Sequence, residues 1–209
     1  MTRIAALALI VFVGGGCAPK AVPLKGAPAP ERALPVLAIA PGHRKIVFHW
    51  DYQENSLNAN GDGAIRVASP DSARVDLFLN GGLFLGNATL IGNDFRAANR
   101  AQVEKVLPPA PMMWAALGRL AIPALPDTVI TAEGDVLYAD VGRPAAWRVT
   151  IKGNRLMQLA RLNGGRIAEV VTRDAGGRLL YEVPGRRKLW LGITRDDEVP
   201  AFDASIWGP

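Results

Sequence analysis

Residues 147–173 read WRVTIKGNRLMQLARLNGGRIAEVVTR, and this stretch decides the fold class. From Trp147 to Lys152, apolar and polar side chains alternate at every position, which is the period of a β-strand with one buried face. Two further apolar segments follow, separated by the short stretches KGN and NGG. Glycine tolerates the left-handed backbone that tight hairpin turns require. The stretch therefore predicts three consecutive antiparallel strands.

The same pattern continues outward in both directions, with glycine-containing turns between short apolar segments. Towards the C-terminus the segments are RLLYEV and KLWLGIT; towards the N-terminus they are KIVFHWDYQ, AIRVAS, ARVDLFLN, FLGNATLIG and VLYADV. The pair Asn60-Gly61 in LNANGDG is a hairpin-turn signal. We therefore expect a mainly β domain whose antiparallel sheet has roughly ten strands.

One segment, PPAPMMWAALGRLAIP at residues 108–123, departs from this alternation. Met113, Ala116, Leu117 and Leu120 follow the spacing of one apolar helix stripe. Prolines at its start suit the first turn of a helix, and the last proline ends it. This segment predicts a single short helix.

The size of the apolar sheet face leaves two architectures open. A twisted sheet of about ten strands curls or splits, and one short helix cannot cover its apolar face. Either it closes into a barrel filled by its own side chains, or it forms an unclosed half-barrel with a helical lid over a cavity. The strand number favours the cavity. Its expected lining comes from inward strand positions and the helix: Phe48, Trp50, Leu77, Leu79, Trp114, Leu117, Trp147, Val149 and Leu191.

The first seventeen residues, MTRIAALALIVFVGGGC, predict export. The apolar run from Ile4 to Val13 is too short to cross a bilayer, which needs about 20 residues, so residues 1–16 are an expected signal peptide. VGGGC resembles a bacterial lipobox, which implies acylation of Cys17, and Ala18 after it implies sorting to the outer membrane. The alternative is an ordinary signal peptide cut nearby, with Cys17 unmodified.

Residues 17–43 are rich in proline and alanine and predict a lipidated tether, followed by the folded domain at residues 44–209. The chain has a formal net charge of +5 and a pI near 9.7. A basic balance is typical of nucleic-acid binding, but an exported protein does not meet nucleic acid. The arginines are expected to lie on solvated strand faces, with some attraction to anionic head groups.

Sequence patterns for catalysis or metal binding were not found. The two histidines, His43 and His49, have no second cluster of ligands at metal-binding spacing, and no G-x-S-x-G motif occurs. The acidic residues 196–198 are adjacent in a polar turn, where solvated carboxylates are the simpler interpretation. We therefore expect no enzyme activity, no metal and no cofactor.

These features together resemble the outer-membrane lipoprotein-sorting family of LolB and the related periplasmic carrier LolA. The resemblance covers about residues 46–207. It includes the lipobox, the tether, the hairpins around PDSARVDLFLNGGLFLGNATLIG, the helix MMWAALGRLAIP and the final FDASIW. It implies an unclosed antiparallel half-barrel with a helical lid over an apolar cavity for lipoprotein acyl chains.

The resemblance also assigns a role to LNGGLFLG, an apolar segment where a hairpin turn is expected. In this family the loop after the strand that matches ARVDLFLN projects an exposed leucine that helps to pass lipid into the membrane. The matching residues are Leu83, with Phe84 and Leu85 beside it, and cargo would pass from the cavity to this tip and then to the leaflet. The alternative is that these residues continue two strands and pack inward.

The favoured hypothesis is a monomeric, lipid-anchored protein at the outer membrane, facing the periplasm, that binds acyl chains or lipoproteins and assists their localisation or insertion. Its expected partners are lipoprotein acyl chains, outer-membrane lipid and a periplasmic lipoprotein carrier. The alternative is a structural outer-membrane lipoprotein with a filled barrel that docks a protein partner.

Overall fold

The computed structural model describes residues 22–98 and 100–208, apart from the side chain of Gln102. Within these residues, two helices, α1 (Arg100–Val106) and α2 (Ala110–Ala116), interrupt a series of thirteen strands. The strands are β1 (Ala27–Pro28), β2 (His43–Glu54), β3 (Leu57–Ala68), β4 (Ser72–Leu79), β5 (Phe84–Ile91), β6 (Asp94–Arg96), β7 (Val129–Glu133), β8 (Val136–Val141), β9 (Trp147–Lys152), β10 (Arg155–Asn163), β11 (Arg166–Arg173), β12 (Leu179–Val183) and β13 (Arg187–Glu198).

All thirteen strands belong to one antiparallel sheet in the order β1-β7-β8-β9-β10-β11-β12-β13-β2-β3-β4-β5-β6. The sheet does not close, because β1 and β6 are its two ends. The prediction of a mainly β fold with an unclosed antiparallel sheet is confirmed. The sheet has thirteen strands and not roughly ten, because β1, β6 and β7 are too short to show clear alternation.

The turn between β2 and β3 lies at Asn55-Ser56 and not at Asn60-Gly61. Asn55 has a φ of 52°, a left-handed conformation that asparagine tolerates. Asn60 and Gly61 lie inside β3, so the turn prediction was wrong. Here the glycine meets a different need, which is close packing across the sheet.

Two cross-strand pairs explain the glycines of β3. Trp50 lies opposite Gly61, and Phe48 lies opposite Gly63. A methyl group at Gly63 would lie 2.2 Å from Phe48 Cζ, and one at Gly61 would lie 1.9 Å from the Phe78 carbonyl oxygen. The missing side chain at Gly63 therefore makes room for the almost completely buried Phe48 ring, and the missing side chain at Gly61 lets the backbone of β4 approach closely.

The core lies on the inward face of the sheet, beneath α1 and α2, which together are called the lid. Buried side chains from nearly every strand meet there, joined by Val103 and Leu107 near α1 and by Met112 and Ala115 of α2. The predicted helix is present as α2, but it ends early because Gly118 has a φ of 89°. No helix among residues 22–98 and 100–208 is long and apolar enough to span a membrane.

Part of the expected tether lies against the domain. β1 pairs with β7, and the Leu120 N–H donates a 3.0 Å hydrogen bond to the Leu37 carbonyl. The side chains of Ala29, Leu37 and Ile39 are buried. Packing therefore begins near residue 27, well before the expected domain boundary at residue 44, because these apolar residues cover inward surface that the lid leaves open.

Replacing Gly63 by alanine is expected to destabilise the fold by about 1–3 kcal/mol, because the new methyl group would overlap the Phe48 ring. Urea unfolding followed by tryptophan fluorescence measures this change. Gly192→Ala is the matched control, since a methyl group on that strand glycine meets nothing within 4 Å. Equal unfolding midpoints for the two variants would contradict the packing role of Gly63.

Candidate functional site

One cavity has a volume of about 590 Å³ and is called the main cavity. This volume is typical of ligand pockets, which span about 300–1,000 Å³. The main cavity opens between the C-terminal end of α2, the start of β2, the end of β13 and the turns β9–β10 and β11–β12. In an antiparallel sheet these starts, ends and turns all lie at the same end of the strands, here called the mouth end.

The inner wall of the main cavity is apolar. Phe48, Leu117 and Leu191, which the sequence predicted as lining residues, all contribute to it. Other apolar side chains complete this wall: Ile46, Ile65, Leu156, Leu179 and Ile193. The strands thus supply an apolar surface, and the end of α2 covers it from above.

A smaller apolar space of about 50 Å³, called the under-lid void, adjoins the main cavity. The two share Phe48, Ile65, Ala116, Leu117 and Leu191. The void also reaches Leu189, which lies opposite Tyr52, whereas Leu191 lies opposite Trp50. It therefore extends away from the mouth end, beneath the lid.

Four arginines stand at the rim of the main cavity. The sequence had predicted arginines on solvated strand faces and none at a cavity. Arg44 pairs with Asp196, and Arg178 Nε lies 3.3 Å from Asp174 Oδ2. The other two, Arg155 and Arg173, form no salt bridge with any described residue. In the sequence, Arg155 follows one glycine turn, and Arg173 and Arg178 flank a later glycine turn. This spacing indicates a shared site only when the order of the strands is known.

Arg173 links the rim of the main cavity to the lid. Its Nη2 donates a 2.6 Å hydrogen bond to the Ala116 carbonyl at the C-terminal end of α2, and its Nη1 donates a 3.4 Å bond to the Gly177 carbonyl. Burial lowers the pKa of Arg173, and the nearby positive charge of Arg155 lowers this pKa further, whereas the negative charge of Asp196 acts in the opposite direction. The guanidinium is thus bound only by neutral carbonyl groups in a partly desolvated place.

A second arginine holds the other helix of the lid. Arg187 Nη1 donates a 2.8 Å hydrogen bond to the Lys105 carbonyl in the last turn of α1, and Arg187 Nη2 donates a 3.0 Å bond to the Tyr181 hydroxyl. The Tyr181 hydroxyl donates in turn to Glu169 at 2.7 Å, and burial raises the pKa of Tyr181, with Glu169 contributing. Carbonyl groups at helix C-termini lack partners within the helix, so these bonds fix the lid to the sheet.

Five of the other expected lining residues contribute to the core beyond the main cavity. Trp50, Leu77, Trp147 and Val149 are buried there, and Leu79 is partly buried against them. The Trp50 indole N–H contacts the carbonyl oxygens of Asp62 and Phe78 at 3.0 and 3.2 Å. These side chains share the inward face with Phe48, but the lid and their own packing separate them from the opening.

Trp114 lies in a second cluster of buried side chains and lines neither the main cavity nor the under-lid void. Its ring is fully buried, and its indole N–H donates a 2.6 Å hydrogen bond to the Gly92 carbonyl. The Arg119 guanidinium lies 4.7 Å from the ring centre, a cation–π contact. In this structure Trp114 fastens α2 to the turn after β5.

The predicted tip lies in the hairpin between β4 and β5. Leu83 is 68% exposed and Phe84 is 52% exposed, whereas Leu85 is partly buried against the core. The ring of Phe84 lies 5.6 Å from that of Phe78, which supports the turn from below. Two large apolar side chains therefore face solvent next to Gly81 and Gly82.

The tip and the main cavity lie at opposite ends of the strands. β4 starts at the mouth end, and its eight residues lead away from it to the tip. At roughly 3.3 Å per residue, β4 alone separates the two ends by about 25 Å. Cargo that passes from the main cavity to the tip, the route that the resemblance implied, would therefore travel along the length of the strands.

Two further expectations concern the anchor and the chemistry. Cys17 lies outside the described residues. Among the residues that the structure describes, no group of three or more His, Cys, Asp or Glu side chains is placed to hold a metal ion.

Comparisons with known proteins identify the fold. No protein-family model and no curated protein sequence matches the chain. A LolA superfamily protein from Nitrosomonas europaea superposes with a TM-score of 0.52 at 8% identity, over 82% of this chain and 92% of that one. An outer membrane lipoprotein-sorting protein domain from Vibrio parahaemolyticus gives a TM-score of 0.45 at 6% identity, over 80% of this chain and 89% of that one. Likeness at this identity establishes a fold and not an activity, and the chain has the LolA-like fold that the sequence resemblance implied.

Proposed function

We propose that this protein is a non-catalytic binder of acyl chains that assists the localisation or insertion of lipoproteins at the outer membrane. The observation that carries the proposal is the main cavity, about 590 Å³ of space with an apolar inner wall in an otherwise packed fold. Removing hydrocarbon from water into such a space is worth about 0.8 kcal/mol per CH₂ group. No energy source or cofactor is needed, because cargo would move down a gradient of affinity.

The under-lid void supplies a path for the ends of long chains. It shares five lining residues with the main cavity and continues beneath α2 and the Leu107-Pro108 segment after α1, towards the opposite end of the sheet. At about 50 Å³ it is narrow in this closed arrangement. Movement of the lid away from the sheet would widen it, and cargo would then pass under the lid and not around the rim.

The tip provides a membrane contact in this proposal. Moving Leu83 or Phe84 from water into lipid gains about 1.5–3 kcal/mol for each side chain, enough for transient contact. Acyl groups on Cys17 would anchor the protein on the periplasmic side of the outer membrane. Because Cys17 is five residues from Val22, the first described residue, this link spans at most about 18 Å and keeps the domain close to the bilayer.

A second candidate function is a structural lipoprotein that docks a protein partner. The observation in its favour is that most of the expected lining residues are packed in the core, so that much of the inward face is filled. The two functions differ in one measurable property, which is saturable uptake of an apolar ligand.

The Cys17→Ser protein, exported without acylation, is expected to bind the neutral fluorophore N-phenylnaphthylamine saturably. Leu191→Gln is expected to weaken this binding about tenfold, because Leu191 lines both the main cavity and the under-lid void. Leu57→Gln is the matched control, since Leu57 is 58% exposed and lines neither space. Fluorescence that rises without saturation would reject the acyl-binding function and favour the structural one.

Leu83→Glu is expected to reduce co-sedimentation of the unacylated protein with vesicles about tenfold or more, because it replaces an apolar contact with a charge. Val36→Glu, which changes an even more exposed side chain, is the control and should bind as the parent does. In cells, the same Leu83 variant with an intact Cys17 should slow the arrival of lipoproteins at the outer membrane. Unchanged sedimentation and unchanged arrival would remove the tip from the mechanism and leave the cavity in place.

A further inference from the structure

Two arginines that form no salt bridge with any described residue converge at the mouth end, although Asp196, the partner of Arg44, also acts on Arg173. Arg173 Nη1 donates to the Gly177 carbonyl at 3.4 Å, and Arg155 Nη2 lies 3.5 Å from the position of a methyl group on the same glycine. Both guanidinium groups line the main cavity, and like charges this close repel each other. A negative group between them would remove that repulsion.

The remaining rim charges are already balanced. Arg44 pairs with Asp196, and Arg178 pairs with Asp174. Asp196 is the one acidic residue in the described lining, against four arginines. The unbalanced positive charge therefore comes from Arg155 and Arg173, at the opening and not at the apolar wall.

Charge and apolar surface adjoin each other in this cavity. Arg173 stands beside the end of α2, and Leu117 and Leu191 continue inward from there. Guanidinium groups match carboxylate and phosphate oxygens in geometry, and such charge-assisted bonds are stronger than neutral ones. A ligand that satisfies both parts has an anionic head at the rim and a hydrocarbon tail at the wall.

We propose that the main cavity selects amphiphiles with one anionic head, a carboxylate or a phosphate, and holds that head between Arg155 and Arg173. This inference rests on the proposed acyl-chain binding and adds a class of ligand besides lipoproteins, whose ester-linked and amide-linked acyl groups have no anionic head. An acyl chain with a neutral head would fill the apolar wall and leave the two arginines without a counter-charge.

The test is displacement of N-phenylnaphthylamine from the Cys17→Ser protein by three ligands of equal chain length below their micelle concentrations. A fatty acid and an alkyl phosphate should each displace the fluorophore at about tenfold lower concentration than the fatty alcohol. The order of the first two identifies the preferred head. Raising the salt concentration should narrow the difference, because the rim is open to solvent.

Arg155→Gln and Arg173→Gln should each reduce the preference for an anionic head, measured as the ratio of the displacing concentrations of the alcohol and the acid. The Arg155 side chain is exposed and forms no hydrogen bond or salt bridge with any described residue, so its variant folds even if Arg173→Gln loosens the lid. Arg195→Gln removes the same charge from β13 outside the main cavity, beside Asp197, and should keep the full preference.

The outcomes separate this inference from the proposed function. Saturable fluorophore binding with equal displacement by acid, phosphate and alcohol overturns the anionic-head selection and leaves acyl binding intact. A preference that survives both arginine variants also overturns it. Absence of saturable fluorophore binding overturns acyl binding and this inference together.

Discussion

The structure depends on the need to cover the apolar inward face of a sheet that does not close. A closed barrel would fill this face with its own side chains, but thirteen strands in an open order leave it exposed along one side. Two helices of seven residues and the segment around Leu37 and Ile39 supply the cover. The cover ends near Gly118, and the main cavity begins where it ends.

Two arginines of the sheet hold this cover in place by hydrogen bonds to the helices, although the contact between the sheet and the helices is mainly apolar. Arg187 bonds the last turn of α1, and Arg173 bonds the last turn of α2. Each satisfies a helix carbonyl that would otherwise lack a partner, and both reach across from the sheet. Because Arg173 also borders the main cavity, the position of α2 and the charge at the opening depend on one side chain.

Local periodicity in the sequence was enough to predict the sheet and one helix. Alternation from Trp147 to Lys152 and its repeats predicted an antiparallel sheet, and the stripe through Met113 and Leu117 predicted α2. Periodicity did not predict which inward residues line the cavity and which lie in the packed core. Phe48 and Trp50 follow the same alternation, and only the position of the helices and the N-terminal segment above them decides that Phe48 meets open space. The arginines at the mouth end were missed for the same reason, since Arg155 and Arg173 meet only through strand order.

The turn error at Asn60-Gly61 shows a second limit of local reasoning. An Asn-Gly pair within an apolar segment is ambiguous, because glycine occurs both in sharp turns and where two strands pack closely. Here the Phe48 ring of β2 lies against Gly63 and the Phe78 carbonyl of β4 lies against Gly61, and both contacts favour packing. The position of the tip relative to the main cavity likewise depends on strand direction, which no single hairpin sequence contains.

The open sheet has two free edges, and both are blunt. β1 has two residues and includes Pro28, which has no N–H to donate, and β6 has three residues that begin and end with the charged Asp94 and Arg96. Such short, interrupted edges offer little template for another chain to add a strand. These edges therefore protect neighbouring molecules of this protein from edge-to-edge aggregation.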